Sequence, residues 1–371
     1  MIESWGTLKN IILYGAGTVG FSCIRKMRKD FEIDFIMDND EKKEGVFGSR
    51  YDVVNVENGL KRRKSQKIIV MTGGRAYDEI ASDLKQSGLK ETIDFCGIED
   101  FLEKWYWQNK HENCILELHM ALTMNCTLKC KDCNMFVPYY PREVAYPLER
   151  IKKEIDLLFS YVDCVLCLTF LGGEPLLYKD LKAVVLYVAE KYGENVSSIK
   201  IVTNGTVTPD NEFIEAIKGL PVWFSISDYT QHVPYDDKLK KFEKLLDDNG
   251  IAYQTYHTKR WCDFGFPSSP IFYEEAACEK HRKACGPIFH GYNDGKIYYC
   301  HVAWSAEKIG RFTLKESDYV DLNHWKENQD RHIISEHCNG KIKNGYVSFC
   351  QVCGGCGYDN KKLVDAGVQV E

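Results

Sequence analysis

Three cysteines within eight residues, Cys126, Cys130 and Cys133, restrict this chain more than any other stretch. The run from Asn125 to Cys133 has the spacing C-x3-C-x2-C. Thiolates are soft ligands, and close cysteines in a reducing cell favour iron–sulfur clusters or zinc over disulfides. A four-iron cubane normally takes four cysteine ligands, and the local run supplies three. One iron is then left for a substrate or cofactor, much as a catalytic zinc keeps an open position. Zinc usually asks for paired C-x2-C hooks, and no second hook follows within about thirty residues.

In this context the triplet resembles the radical SAM superfamily. It follows the alternating apolar run Ile115–Leu122, which reads as a strand, and a loop and a helix come after it. The resemblance implies that Cys126, Cys130 and Cys133 hold a [4Fe–4S] cluster. The fourth iron would be chelated by the amino and carboxylate groups of S-adenosylmethionine. Asp132 stands where many members carry an aromatic residue, a departure that touches the packing beneath the adenine.

The 371 residues predict two or three domains. A net charge of −6 gives no footprint for nucleic acid or an anionic membrane surface. The first residues lack a signal-peptide pattern, and no apolar run approaches spanning length. Sixteen cysteines without a secretion signal point to a reducing cytoplasm and metal binding.

In chain order, residues 7–14 read as a strand, Gly15-Ala-Gly17-Thr-Val-Gly20 as a turn, the stretch to about Lys29 as a helix, and Phe31–Met37 as a second strand ending at Asp38. This is the pattern of a Rossmann-type unit. Gly15, Gly17 and Gly20 would let a phosphate approach a helix N-terminus, and Asp38 is the acidic partner. With the strand 67–71 and the helix 77–87, it makes a domain over residues 1–108. The domain resembles small Rossmann-like units beside sugar-modifying enzymes, some of which bind sugar nucleotides. An empty, structural domain is the equal alternative. Residues 103–113 read as a helix end and linker.

Strands at 115–122, 164–170, 198–203, 221–227 and 252–256 alternate with helices near 148–161, 178–192, 209–218 and 236–248, the last-but-one starting at Thr208-Pro209. The fold class is α/β. Residues 112–265 are expected to form the partial (β/α)6 barrel of the resembled family, with chemistry at the strand C-terminal ends. Strand 164–170 runs into Gly172-Gly173-Glu174-Pro175, which resembles the motif contacting the cofactor's amino group. Strand 198–203 ends in Thr203-Asn204, similar to the family's polar strand end near the cofactor. Ser227 would reach the ribose. A tight turn or cap is a serious rival for Thr203 and Ser227. Cys164 and Cys167 read as packed strand residues.

From residue 278, within a third domain expected over residues 266–371, the cysteines become dense again. Cys285, Cys300 and the hairpin signal Asn293-Asp-Gly295 between them resemble the opening of SPASM and twitch extensions, which bind auxiliary [4Fe–4S] clusters. The resemblance implies one auxiliary cluster on Cys285, Cys300 and two of Cys350, Cys353 and Cys356, with Cys278 as a further ligand. A structural zinc on the last three is the alternative.

The resemblance further implies reductive cleavage of S-adenosylmethionine and abstraction of hydrogen from a C–H bond by a 5′-deoxyadenosyl radical. Electrons would come from a donor such as flavodoxin or ferredoxin. A sugar, sugar nucleotide or polyol is the favoured substrate, converted by dehydrogenation or epimerisation. In epimerisation Cys262 would return the hydrogen, although a packed or ligating cysteine is the simpler role. A ribosomal peptide or protein is the alternative substrate. A non-catalytic iron–sulfur carrier or scaffold is the alternative of another class.

Overall fold

A computed structural model describes residues 2–40, 52–141, 144–285 and 289–370. Its N-terminal part is a five-stranded parallel sheet in the order β3-β2-β1-β4-β5. The strands are β1 (Asn10–Tyr14), β2 (Glu32–Met37), β3 (Val53–Val54), β4 (Lys67–Val70) and β5 (Phe95–Gly97). The near-continuous apolar runs of β1 and β4 are buried, as parallel strands covered on both faces must be. Helices α1 (Thr18–Asp30), α2 (Val56–Arg62) and α3 (Gly74–Gln86) make the connections.

The expected linker near residue 105 is instead core. Helix α4 (Ile98–Asp100), a π-helical turn (Phe101–Tyr106) and α5 (Trp107–Lys110) run on without a break. Phe101 and Trp105 stack at 5.1 Å, with Phe31 and Tyr106 against them. The polar residues of this stretch masked its aromatic spacing, which buries one side.

The second sheet has eight strands in the order β10-β9-β8-β7-β6-β12-β13-β14. Five successive strands of the chain are parallel neighbours: β6 (Cys114–Thr123), β7 (Cys164–Gly172), β8 (Val196–Thr203), β9 (Val222–Ser227) and β10 (Ala252–Tyr256). Helices α6 (Leu148–Phe159), α7 (Leu181–Tyr192), α8 (Asn211–Ile217) and α9 (Asp236–Asn249) connect them. Ile151, Ile155 and Leu158 of α6 are buried together, as their helical spacing requires. Helix α8 starts later than Thr208-Pro209 suggests, because Asp210 caps it by accepting from the Phe213 N–H.

Among the described residues no strand pairs with the outer edge of β10, and the sixth parallel strand is the short β12 (Gly291–Asn293), which joins at the opposite edge beside β6. The chain turns into β11 (Arg260–Cys262), which pairs antiparallel with the distant β15 (Leu363–Asp365). After α10 (Glu275–Cys285) a hairpin, β12 (Gly291–Asn293) and β13 (Lys296–Tyr298), extends the sheet on the β6 side. Its turn residues Asp294 and Gly295 both have positive φ, the conformation that an Asp-Gly pair favours in a two-residue hairpin. Helix α11 (His301–Lys308), β14 (Tyr319–Asp321) and α12 (His332–Cys338) complete this region.

The two sheets share a core. Helix α1 lies under the inner face of the parallel strands, with Thr18, Val19 and Ser22 against Leu116, Glu117, Cys167, Lys200 and Trp223. Cys23 and Met27 of α1 are buried in one cluster with Cys114, Cys164 and Leu166. A polar clasp adds to this contact. Buried Glu103 accepts from Asn339 at 3.0 Å and pairs with His332 and Lys341 at 3.1 Å. Lys341 occupies the place between Glu103 and Glu336 that a cation would take.

His337, at the end of α12, is buried with Nε2 unpartnered. Burial, with His290 nearby, holds its pKa down to about 3. The unfolded chain binds this proton below about pH 6.5 while the folded chain does not, so stability is lost as pH falls from 6.5 towards 3. His337→Leu is therefore expected to reduce the loss of stability between pH 7.5 and pH 5 by about 2 kcal/mol. Denaturant melts of both proteins at the two pH values check this, and an unchanged difference would contradict it.

Candidate active site and cysteine centres

The C-terminal ends of β6 to β9 surround a cavity of about 300 Å³. Open α/β sheets hold their ligands at this end. Cys126, Cys130 and Cys133 line it on a loop leaving β6. Gly172 and Gly173 line it from the end of β7, Thr203 and Asn204 from β8, and Ser227 from β9. Residues predicted from separate motifs thus meet at one place.

Backbone contacts fix the loop. Gly173 N–H donates to Thr123 C=O at 2.8 Å, and Glu174 N–H to Asn125 C=O at 2.7 Å. Both glycines are required for this approach. Gly172 has φ +140°, and a Cβ there would stand 1.9 Å from the Thr123 oxygen. A Cβ on Gly173 would stand 2.3 Å from the Asn125 oxygen. Residues 368–370 brace the loop from its other side: Lys131 N–H donates to Val368 C=O and Val370 N–H to Lys129 C=O.

Each of the three sulfurs receives N–H groups. Leu128 N–H and Asn204 Nδ2 donate to Cys126 Sγ at 3.4 and 3.5 Å. Gln369 Nε2 donates to Cys130 Sγ at 3.3 Å. Backbone N–H groups of Val137, Met135 and Phe136 point at Cys133. Burial nevertheless pushes the Cys126 thiol up to about 12 and Cys130 up to about 11, with the neighbouring thiols adding to both shifts. Three thiols that resist ionisation alone, yet are offered donors suited to thiolates, fit a bound metal cluster whose positive charge holds them ionised.

Glu174 and Pro175 stand behind the cavity wall. The Glu174 carboxylate is fully buried and accepts from Thr203 Oγ1 at 2.8 Å, Leu176 N–H at 3.0 Å and Asn204 N–H at 2.8 Å. Burial pushes its pKa up to about 7 against those three bonds. The expected contact of this carboxylate with an amino group is replaced here by a buttress that sets Thr203 and Asn204. The motif's own Gly172 and Gly173 face the cavity.

The floor of the cavity holds polar residues that the motif reading passed over. Glu117, His119 and Lys200 line it together. Glu117 Oε1 accepts from His119 Nε2 at 2.7 Å and Thr169 Oγ1 at 2.8 Å, and pairs with Lys200. Lys200 and His119 hold the carboxyl well below its ordinary range despite burial. Their trace in the sequence is alternation: in an otherwise apolar strand, 117 and 119 fall on one face. Leu128, Met135, Val137, Leu171, Val202 and Phe289 supply apolar wall.

Cys285, Cys300, Cys350, Cys353 and Cys356 form a second group. Cys285 Sγ lies 3.6 Å from Cys356 Sγ, and Gly355 N–H donates to Cys353 Sγ at 3.3 Å. After burial, the charge of Cys300 and Cys285 is what raises Cys350 and Cys353. Cys278 is buried on α10, donating to Glu274 C=O at 3.4 Å, and adds a smaller effect on Cys350. Cys262 does not line the cavity, although its neighbour Trp261 does. Alternation along β11 turns the thiol away. Its pKa is raised by burial and then by Cys285, and it acts in turn on Cys356. Cys338 stands apart, beside Glu99.

The glycines of the first turn lie apart from this cavity. Gly15, Gly17 and Gly20 gather at the start of α1, where Ala16 N–H donates to Asp38 Oδ2 at 2.8 Å. A carboxylate thus already faces this turn.

Residues 120–228, from β6 through β9, match the model of the Radical SAM superfamily. That part of the chain is a radical SAM domain. No curated protein matches the sequence. Among solved structures, Streptococcus suis SuiB bound to S-adenosylmethionine is 21% identical over 38% of this chain and 32% of its own, with a TM-score of 0.31. Native anSMEcpe with bound AdoMet and Cp18Cys peptide is 15% identical over 38% of this chain and 42% of its own, with a TM-score of 0.30. BtrN in complex with AdoMet and 2-DOIA is 14% identical over 68% of this chain and 97% of its own, with a TM-score of 0.40. The chain spans about a third of the length of the SuiB structure it matches. No helix among the described residues is long and apolar enough to cross a membrane.

Proposed function

We propose that this chain is a radical SAM oxidoreductase acting on a small polar substrate, a sugar, sugar nucleotide or polyol. One observation carries the reading: three thiols on one loop, Cys130 buried and Cys126 and Cys133 half-buried, line a cavity whose other walls are the ends of β7, β8 and β9. Cys126, Cys130 and Cys133 would hold a [4Fe–4S] cluster, and Gly172, Gly173, Thr203, Asn204 and Ser227 would form the seat of S-adenosylmethionine. When bound, these groups supply reductive cleavage to methionine and a 5′-deoxyadenosyl radical.

The chain's own residues do the rest. Asn204 donates to Cys126 Sγ and to Thr127 Oγ1, tying the cluster loop to β8. The apolar wall excludes water, which would otherwise quench a reactive intermediate. The polar floor of Glu117, His119 and Lys200 favours a polar substrate over an apolar one. Cys285, Cys300, Cys350, Cys353 and Cys356 offer thiolates for an auxiliary [4Fe–4S] cluster, which would relay electrons to or from the site. Cys262 turns from the cavity towards that set, so dehydrogenation is favoured over an epimerisation that needs a thiol facing the substrate. The N-terminal sheet, in the Rossmann-like reading, serves the barrel as its base, and bound nucleotide is not required.

Anaerobic reconstitution with iron and sulfide, followed by S-adenosylmethionine and a reductant, tests the reading. Slow release of 5′-deoxyadenosine and methionine without substrate is expected. A protein that binds iron and releases neither is a carrier or scaffold.

A further inference from the structure

The next inference rests on the reading of the first thiol set as a centre that takes up an electron. Residues 362–370 run along the outside of that set. β15 pairs with β11, Asp263 N–H donates to Lys362 C=O at 2.9 Å, and Ala366 N–H donates to Lys259 C=O at 3.0 Å. Further on, Lys131 N–H donates to Val368 C=O at 2.7 Å and Val370 N–H to Lys129 C=O at 2.8 Å. One segment thus ties β11 to the cysteine loop.

Alternation decides what this ribbon presents to water. Cys130 and Trp261 line the cavity and mark the inner side. Lys129 and Lys131 flank Cys130, and Arg260 precedes Trp261, so these three stand on the outer side. Gln369 turns inward, with Nε2 donating to Cys130 Sγ at 3.3 Å. Its neighbour Val370 is 36% exposed and Leu363 53% exposed, two large apolar side chains left in solvent.

The surface is cationic in a chain whose net charge is −6. Over 129–132, 259–263 and 361–370, Lys129, Lys131, Lys259, Arg260, Lys361 and Lys362 are exposed, against one exposed acid, Asp365. Arg260 pairs with Asp365 at 3.7 Å, while the five lysines have no ion-pair partner among the described residues. Exposed lysines elsewhere do find partners, as Lys61 does with Glu57, Lys244 with Asp248 and Lys283 with Glu279. An apolar centre with a cationic rim suits an acidic protein surface. The position of the face says which kind. Gln369 spans from this ribbon to a sulfur of the first set, and electron transfer weakens steeply with distance.

We propose that this face docks a small acidic one-electron carrier protein, of the flavodoxin or ferredoxin kind, directly over Cys130. One electron leaves the reduced carrier and enters the first cysteine centre. The carrier departs oxidised by one electron, and no bond forms or breaks in the transfer. Charge holds the contact, so it is brief and salt weakens it.

Carbodiimide cross-linking, which joins lysine amines to carboxylates, maps the contact on the full chain. With oxidised flavodoxin at low salt, links are expected at Lys129, Lys131, Lys259, Lys361 and Lys362, and high salt should abolish them. The triple variant Lys259→Glu, Lys361→Glu, Lys362→Glu is expected to slow 5′-deoxyadenosine release driven by reduced flavodoxin about tenfold or more. Release driven by reduced methyl viologen, a small cation, should hold. Lys153→Glu, Lys240→Glu and Lys241→Glu together, on α6 and α9, should change neither rate. Links confined to other lysines, or an unchanged flavodoxin rate in the first variant, would overturn the proposal. So would a face that retains random single-stranded RNA at physiological salt and leaves flavodoxin unlinked. Should the first variant fail to fold, the map on the unaltered chain decides. Links elsewhere in a preparation that cleaves S-adenosylmethionine with viologen reject only the docking face. Links at this face in a preparation that cleaves none reject only the radical reading.

Discussion

Replacing Cys126, Cys130 and Cys133 together by alanine is expected to bring 5′-deoxyadenosine formation to background while leaving about half of the bound iron, one cluster of two. The reason is the independence of the two thiol sets. The first comes from one loop after β6, braced by Asn204 and by residues 368–370. The second comes from the end of α10, the hairpin and the turn at 350–356. The bonds that hold the first loop to β7 and to residues 368–370 run between backbone groups, so the loop keeps its path when the sulfurs are removed. Iron and sulfide assays, with electron paramagnetic resonance of the reduced protein, read the outcome. Retained S-adenosylmethionine cleavage would sink the catalytic assignment. Loss of all iron would sink the two-centre assignment.

Gly172→Ala is expected to cost about 4 kcal/mol and to strip the cluster from the β6 loop. Two costs combine. A φ of +140° strains any residue with a side chain, by about 1–3 kcal/mol. The new methyl would stand 1.9 Å from the Thr123 carbonyl oxygen, and forced overpacking costs about 1–3 kcal/mol more. Relief requires β7 to draw back from the cysteine loop, which breaks the bonds from Gly173 and Glu174 to Thr123 and Asn125. Thermal melts of the cluster-free protein separate the folding cost from iron retention after reconstitution. A variant with wild-type stability and iron content would show that this close approach is dispensable.

Much of this arrangement was legible in the sequence, because the chemistry that marks it is local. The C-x3-C-x2-C triplet, the Gly172-Gly173 pair and the strand ends at Thr203 and Ser227 are short signals, and their order along alternating strands and helices brings them to one side of a parallel sheet. What was not legible depends on long-range packing. Glu174 looked like a ligand contact because a free carboxylate suits an ammonium. Its engagement by Thr203 and Asn204 depends on how β7 and β8 lie together. Cys262 looked available because it follows the last parallel strand, but its direction is set by pairing with Leu363, a hundred residues away. The contact of Gln369 with Cys130 has no local signature at all. The stretch 103–113 reads as a helix end and linker because its polar residues mark the outer face of a helix; the helix runs to Lys110 and its aromatic side is core.

Helix α1 lies beneath the ion pair of Glu117 and Lys200, with its side chains in the same core as the first residues of β6 and β7. Neither sheet can then lose its packing without exposing the other's, so melting is cooperative across both. Heat would take the pair apart in a single endotherm, and a fragment of the second sheet lacking α1 would open the cavity to solvent from below.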